Sequence, residues 1–427
     1  MSLRVSITVL FFSIPLFTAA QIQLEPPLLL EQSDQELHFS INNQHVMVFD
    51  SEGDVHLVYF IPDDVSSPPE NRMFYLHVDD GVITEALPVT HSVDSGGGRH
   101  PSLIIDANDT IHVTWQDYRH TSAFGNYIDN TEIYYNRKFR EGEFSDTDIR
   151  ISNTNAAHLG DNGFVPVIEV DSAGRVHIIW YDFNRNGSNA EVYLRSSDDA
   201  GEFADETGIE QFRITNLHNG SETVSHWMPT MISVSEGLYT VWGRREGFTG
   251  TLALEGCLIS AEGDISEIDP IGTGGTFLDP PRLAADQQGN IAMVYARRED
   301  DQWRITMQYK PAGQSWSEPM DINQSNNNST QPNLSFDDEG NLFIVWQEAV
   351  GFDQIRLAKV NPVSGTILFQ QSLTTEEVDA KTPVIAFDST LHRMTIAWIQ
   401  QVFDSTEWQM VLVQQEVTAV LDWSIYD

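Results

Sequence analysis

The chain has a single cysteine, Cys257, in 427 residues. No internal disulfide can form, so the fold must be held by its core and its hydrogen bonds. Positive charge is scarce: 23 Lys and Arg stand against 63 Asp and Glu, a formal net charge of −40. A field of that sign excludes binding to nucleic acid or an anionic membrane through overall charge. Apolar runs are short after residue 17. None nears the roughly 20 residues of a membrane span. No His/Cys cluster has zinc spacing. Gly96-Gly97-Gly98 lacks the Lys-Ser/Thr of a phosphate cradle and reads as a turn. No metal site and no cofactor is assigned; Ca²⁺ held by acidic loops is compatible with the composition.

The one long apolar run is N-terminal. Arg4 precedes Val5–Phe17, and Thr18-Ala19-Ala20 is a small-residue cleavage site. Residues 1–20 therefore read as a secretory signal peptide cut near Ala20. The expected location is secreted or periplasmic.

What is present is a phrase repeated seven times. A short apolar run enters a turn, usually with Asp at its head, and a second run ends in Trp or Tyr, as in PSLIIDANDTIHVTW. The closing aromatics are Tyr59, Trp115, Trp180, Trp242, Tyr295, Trp346 and Trp398. Such a period marks one supersecondary unit stacked on copies of itself. A polar loop, a third strand such as Glu132-Ile133-Tyr134-Tyr135, a turn and a fourth strand follow. Four short alternating strands make an antiparallel sheet, and seven sheets set radially bury each other's faces. The expectation is an all-β, seven-bladed β-propeller of four-stranded antiparallel blades. It spans residues 45–427 as one domain and is monomeric. Residues 21–44 form an N-terminal segment, a candidate for closing the ring.

Aligned, the copies separate scaffold from the rest. Asp50, Asp106, Asp171, Asp286, Asp337 and Asp388 recur at the head of the turn, with Gly three residues later in four of them. That is turn chemistry. His56, His112 and His177 share a position that elsewhere holds Tyr239, Ala292 and Phe343, which marks packing. The closing aromatics read as blade-to-blade core.

Ser197-Asp198-Asp199-Ala200-Gly201-Glu202-Phe203 resembles the Asp-box of sialidase-like propellers, with its aromatic one residue early. Gly142-Glu143-Phe144 and Gly313-Gln314-Ser315-Trp316 are similar, more eroded copies. The resemblance covers nearly the whole mature chain. It implies that Asp199 is structural and lies opposite the active face. Sialidases also carry an early Arg-Ile-Pro motif, but Arg150-Ile151, Arg213-Ile214 and Arg304-Ile305 are not followed by Pro. The wider group includes seven-bladed propellers that cleave acidic polysaccharides, ulvan-type lyases among them.

In such a propeller two sets of loops share the functional face. One follows each closing aromatic; the other precedes each Pro-led first strand. Together they supply Arg99, Arg119, Arg185, Arg244, Arg245, Arg297, Arg298 and Lys381, eight of the chain's 23 cations. With Trp227, the seven arginines are the candidate substrate contacts, since Arg grips carboxylate or sulfate in two-pronged fashion. His100, His120 and His226 are candidate bases for the proton beside a uronate carboxylate, and Tyr127 a proton donor to the leaving oxygen. Extra length falls in loops His120–Asn130 and Asn153–Gly163. The reading is a secreted propeller that binds and cleaves an acidic glycan (uronate, sialate or sulfated) over blades 2–5. Lyase and hydrolase both stay open. The alternative is a non-catalytic propeller binding glycan or protein at the cell surface, its arginines paired with neighbouring acids, as Arg119 with Asp117.

Overall fold

The computed structural model describes residues 24–62, 71–90, 97–119, 131–152, 162–183, 190–199, 201–203, 212–215, 224–246, 252–273, 280–323 and 325–417. Seven sheets, each of four antiparallel strands, make seven blades. The innermost strands, in blade order, are Met47–Phe49, Gly98–Ile105, Asn162–Val170, Val224–Val234, Arg282–Ala285, Ser329–Phe336 and Val378–Asp388. Each touches the next, and the first touches the seventh, so the ring is closed. Among the described residues the only helix is the single turn Asn43–His45, and none is long and apolar enough to cross a membrane.

The repeated phrase folds as its chemistry dictates. Asp106 Oδ1 accepts hydrogen bonds from the backbone N–H of Asn108 and Thr110, at 2.8 and 2.9 Å, and Asp50, Asp171, Asp286 and Asp337 repeat this at their own turns. Asp388 caps the seventh turn through Thr390 and Leu391. All seven closing aromatics are at most 3% exposed. The Asp-box-like turns bolt neighbouring blades. Phe144 of blade 2 meets Tyr75 of blade 1 edge-on at 5.5 Å, and Phe203 of blade 3 meets Tyr135 of blade 2 at 5.0 Å. Trp316 of blade 5 donates to the Tyr239 hydroxyl of blade 4 at 3.0 Å. In the blade-3 turn the cap falls on Asp198, not Asp199. Asp198 Oδ1 accepts from Glu202 N–H at 2.9 Å, while Asp199 is exposed. The early aromatic shifts the motif by one residue.

Strand Leu28–Ser33 pairs with Trp408–Glu416 as the outer strand of blade 7. The chain then crosses the axis. Gln44 donates to Met231 O at 3.0 Å in blade 4 and accepts from Leu283 N–H at 2.7 Å in blade 5. His45 lies 3.2 Å from Glu169 in blade 3. A cavity of about 630 Å³ opens beneath this plug, among Asp286, Asp337, Asp338 and Asp388. Those residues sit at the first turns, so this cavity lies on the face away from the loops predicted to bind.

Candidate functional site: an aromatic and cationic rim

The first strands of blades 2, 3, 4, 6 and 7 share a defect that the sequence writes as a proline. Pro101, Pro166, Pro229, Pro332 and Pro383 lack the N–H a ladder needs. The pairing register slips at each, and the preceding residue turns left-handed: His100, Val165, Met228, Gln331 and Thr382 have φ between 47° and 53°. None is glycine, so each holds local strain of about 1–3 kcal/mol. Strain of this kind is characteristic of ligand-facing positions.

Just before the bulge, equivalent positions carry Arg99, Phe164, Trp227, Thr330 and Lys381. Four of these five face a ring or a cation. Arg99 lies 5.9 Å from the Tyr118 ring centre, and Phe164 stacks on Tyr181 at 5.4 Å. Arg245 lies 5.0 Å above Trp227, and Lys381 4.1 Å above Trp408. Around the mouth of the ring runs a set of cation–aromatic and aromatic pairs, each partly exposed on at least one side.

A second polar group joins this rim where the N-terminal segment meets blades 7, 1 and 2. Glu36 bonds Lys381 and lies 3.5 Å from His38 Nε2. The His38 hydrogen bond and the Lys381 charge hold the Glu36 carboxyl down at about 2, against burial. His38 stacks on Phe60, and Phe60 meets His100 edge-on at 5.9 Å. Burial, with the Arg99 charge beside it, pushes His100 down to about 3, so it stays neutral.

Several candidates stand elsewhere than expected. Arg99, His100, His226, Trp227, Arg244, Arg245, Arg297, Arg298 and Lys381 lie in strands rather than loops. His226 is 1% exposed, 3.2 Å from Glu191, and sits behind the rim. Arg119 is a structural cation: it bonds Asp117 and Asp148, each at 2.8 Å, and stacks on Tyr134 at 3.9 Å. Arg244 pairs with Glu246 at 2.6 Å, Arg297 with Glu299 at 3.1 Å and Arg298 with Asp301 at 3.1 Å. Blades 4 and 5 thus neutralise these arginines locally. His120, Tyr127 and Arg185 lie outside the described residues. Glu36, His38 and Trp408 were not legible as site residues, because they fall outside the aligned phrase and no local motif marks them.

Seven four-stranded blades with this closure make the fold a seven-bladed β-propeller. No family model and no curated protein matches the sequence. Among solved structures, a polysaccharide lyase described as a PL25 ulvan lyase is similar over 92% of this chain and 94% of its own, with 11% identity and a TM-score of 0.58. That family's lyase has also been solved bound to -[GlcA(1-4)Rha3S]-. The polysaccharide lyase Uly1 is similar over 93% of this chain and 100% of its own, at 10% identity and a TM-score of 0.56. The NanB sialidase from Streptococcus pneumoniae is similar over 95% of this chain and 72% of its own, at 10% identity and a TM-score of 0.50.

Proposed function

We propose that this chain is a secreted, glycan-active propeller that holds an acidic glycan on the rim formed by Arg99, Phe164, Trp227, Arg245 and Lys381. The observation that carries the reading is the repeated pairing of cation and ring at equivalent positions. Aromatic faces suit the apolar faces of sugar rings, and the neighbouring cations suit uronate carboxylates or sulfates. In a chain of net charge −40, a cluster of cations on one rim focuses an anion there. The likeness in fold to lyases that act on acidic polysaccharides supports the same substrate class.

Cleavage by elimination is the second reading, favoured by the partly exposed His38, which shares Glu36 with the Lys381 cation; His100, pushed down to about 3 by burial, is too weak a base for the step. A neutral imidazole takes the proton beside the uronate carboxylate, a cation steadies the carboxylate as charge develops, and the glycosidic C–O bond breaks. The C–H electron pair forms the double bond of the unsaturated uronate, and the imidazolium returns its proton to the leaving oxygen. The test is a titration with uronate-rich, sulfated and neutral oligosaccharides, with the ultraviolet absorbance of an unsaturated uronate followed in parallel. Acid-selective binding is expected. Equal affinity for neutral sugars would overturn the rim as an anion site, and binding without new absorbance or reducing ends would leave a binding module.

A further inference from the structure

Blades 1, 2 and 3 each set a histidine of the second strand against the Asp that caps the first turn. His56 Nε2 lies 3.5 Å from Asp50, His112 Nε2 3.5 Å from Asp106, and His177 Nε2 3.1 Å from Asp171. The third strand then makes blade 1 different. Directly across from these histidines stand His77 in blade 1, Arg137 in blade 2 and Ser196 in blade 3. Only blade 1 of the three gathers two imidazoles and a carboxylate.

We propose that Asp50, His56 and His77 form a structural site for a divalent transition metal, of which Zn²⁺ is the test case. One ligand atom from each of the three lies within 4.8 Å of the others. Tetrahedral zinc with nitrogen and oxygen ligands sets those atoms roughly 3.4 Å apart. The 3.5 Å between His56 Nε2 and Asp50 Oδ2 is long for a hydrogen bond and suits an edge of that tetrahedron.

Each ligand already has a partner behind it. The Tyr75 hydroxyl is 2.6 Å from His56 Nδ1, and the Thr84 hydroxyl 2.8 Å from His77 Nδ1. Asp50 Oδ1 is held by the N–H groups of Glu52 and Asp54, which leaves Oδ2 for the site. Partners of this sort orient metal ligands and fix their tautomers. His56 is buried, and its Nε2 has no hydrogen-bond partner. A buried ring nitrogen with no hydrogen-bond partner, 3.5 Å from a carboxylate oxygen and on a ring stacked against a second imidazole at 4.6 Å, is the observation that points to a ligand. Asp54 Oδ2 lies 3.2 Å from His77 Nε2, a contact that a bound ion would replace. His77 and Asp54 are partly exposed, which gives a route in.

The site also has work to do. The inner strand of blade 1 pairs through only three residues, Met47, Val48 and Phe49. A metal there would join the first turn to the second and third strands of the blade with the shortest inner ladder. Sequence spacing hides it, because the strand register, not a local motif, brings His77 to His56.

The test uses the mature chain freed of metal by a chelator, titrated with Zn²⁺ alone by calorimetry, with melting temperature followed with and without the ion. One equivalent should bind and raise the melting temperature. His77→Arg and His77→Ser place in blade 1 the side chains that blades 2 and 3 already carry. Both should bind zinc at least about 100-fold more weakly and melt like the metal-free parent. If one variant fails to fold, the other carries the comparison. Absence of zinc binding in the parent chain, or an equivalent retained after His77 is replaced, overturns the proposal.

Discussion

Arg245 lies over the face of Trp227, 5.0 Å from the ring centre, with the two side chains on adjacent strands of blade 4. The ring orients the guanidinium, and both are partly exposed at the mouth. Arg245→Ala should weaken binding of a uronate or sulfated oligosaccharide about tenfold, the equivalent of ~1.4 kcal/mol. Neutral oligosaccharides should lose far less. Trp227→Ala should weaken both classes, since it removes the ring and the support of the cation. Calorimetric titration of the two variants checks the distinction.

Arg119 predicts the opposite kind of defect. It bonds the fully buried Asp117 and also Asp148. Those carboxylates outweigh burial and raise its pKa further above its ordinary value. Arg119→Ala strands two carboxylates and should cost about 3 kcal/mol of stability, seen as a lower denaturation midpoint in urea.

The bolt between blades 2 and 3 is open to the same measurement. Phe203 is 7% exposed and meets Tyr135 edge-on. Phe203→Ala should destabilise the ring by about 3 kcal/mol, from lost burial and the cavity left behind. Phe203→Trp, which restores the aromatic of the Asp-box, should lose less.

The axial plug predicts a pH dependence. Burial pushes Glu169 up to about 8 and His45 down to about 4, and the two lie 3.2 Å apart. Whichever of them carries it, the folded pair holds one proton between those limits. In the unfolded chain the carboxyl titrates near 4.5 and the imidazole near 6.5. From 4.5 to 6.5 both states hold one proton, and the pair contributes no slope. Above 6.5 the unfolded pair holds none, so stability falls as pH rises through about 8, by at most about 1.4 kcal/mol per pH unit. Glu169→Gln should remove that fall. Melting temperatures of parent and variant across the interval check it.

Much of this was legible in the sequence. Turn caps such as Asp106 and buried closers such as Trp180 follow from local chemistry and from period, which repeat seven times and so correct each other. Arg99 and Trp227 were legible as candidates because they stand just before the prolines that lead the repeated phrase, although the structure places them within the strands. Glu36 and His38 were not, because their meaning comes from Lys381, which lies 345 residues from Glu36 along the chain.

The sequence by itself determined the number of blades, their four-stranded form, the turn chemistry and the aromatic core, since each depends on neighbours within one repeat. Tertiary structure decided which cations are spent on internal carboxylates and which stand on the rim. Those outcomes depend on register between strands and on contacts between blades, and a linear spacing carries neither. The same reason separates His56 from His112: their strands read alike, and only the residue facing each across the ladder, His77 or Arg137, tells them apart.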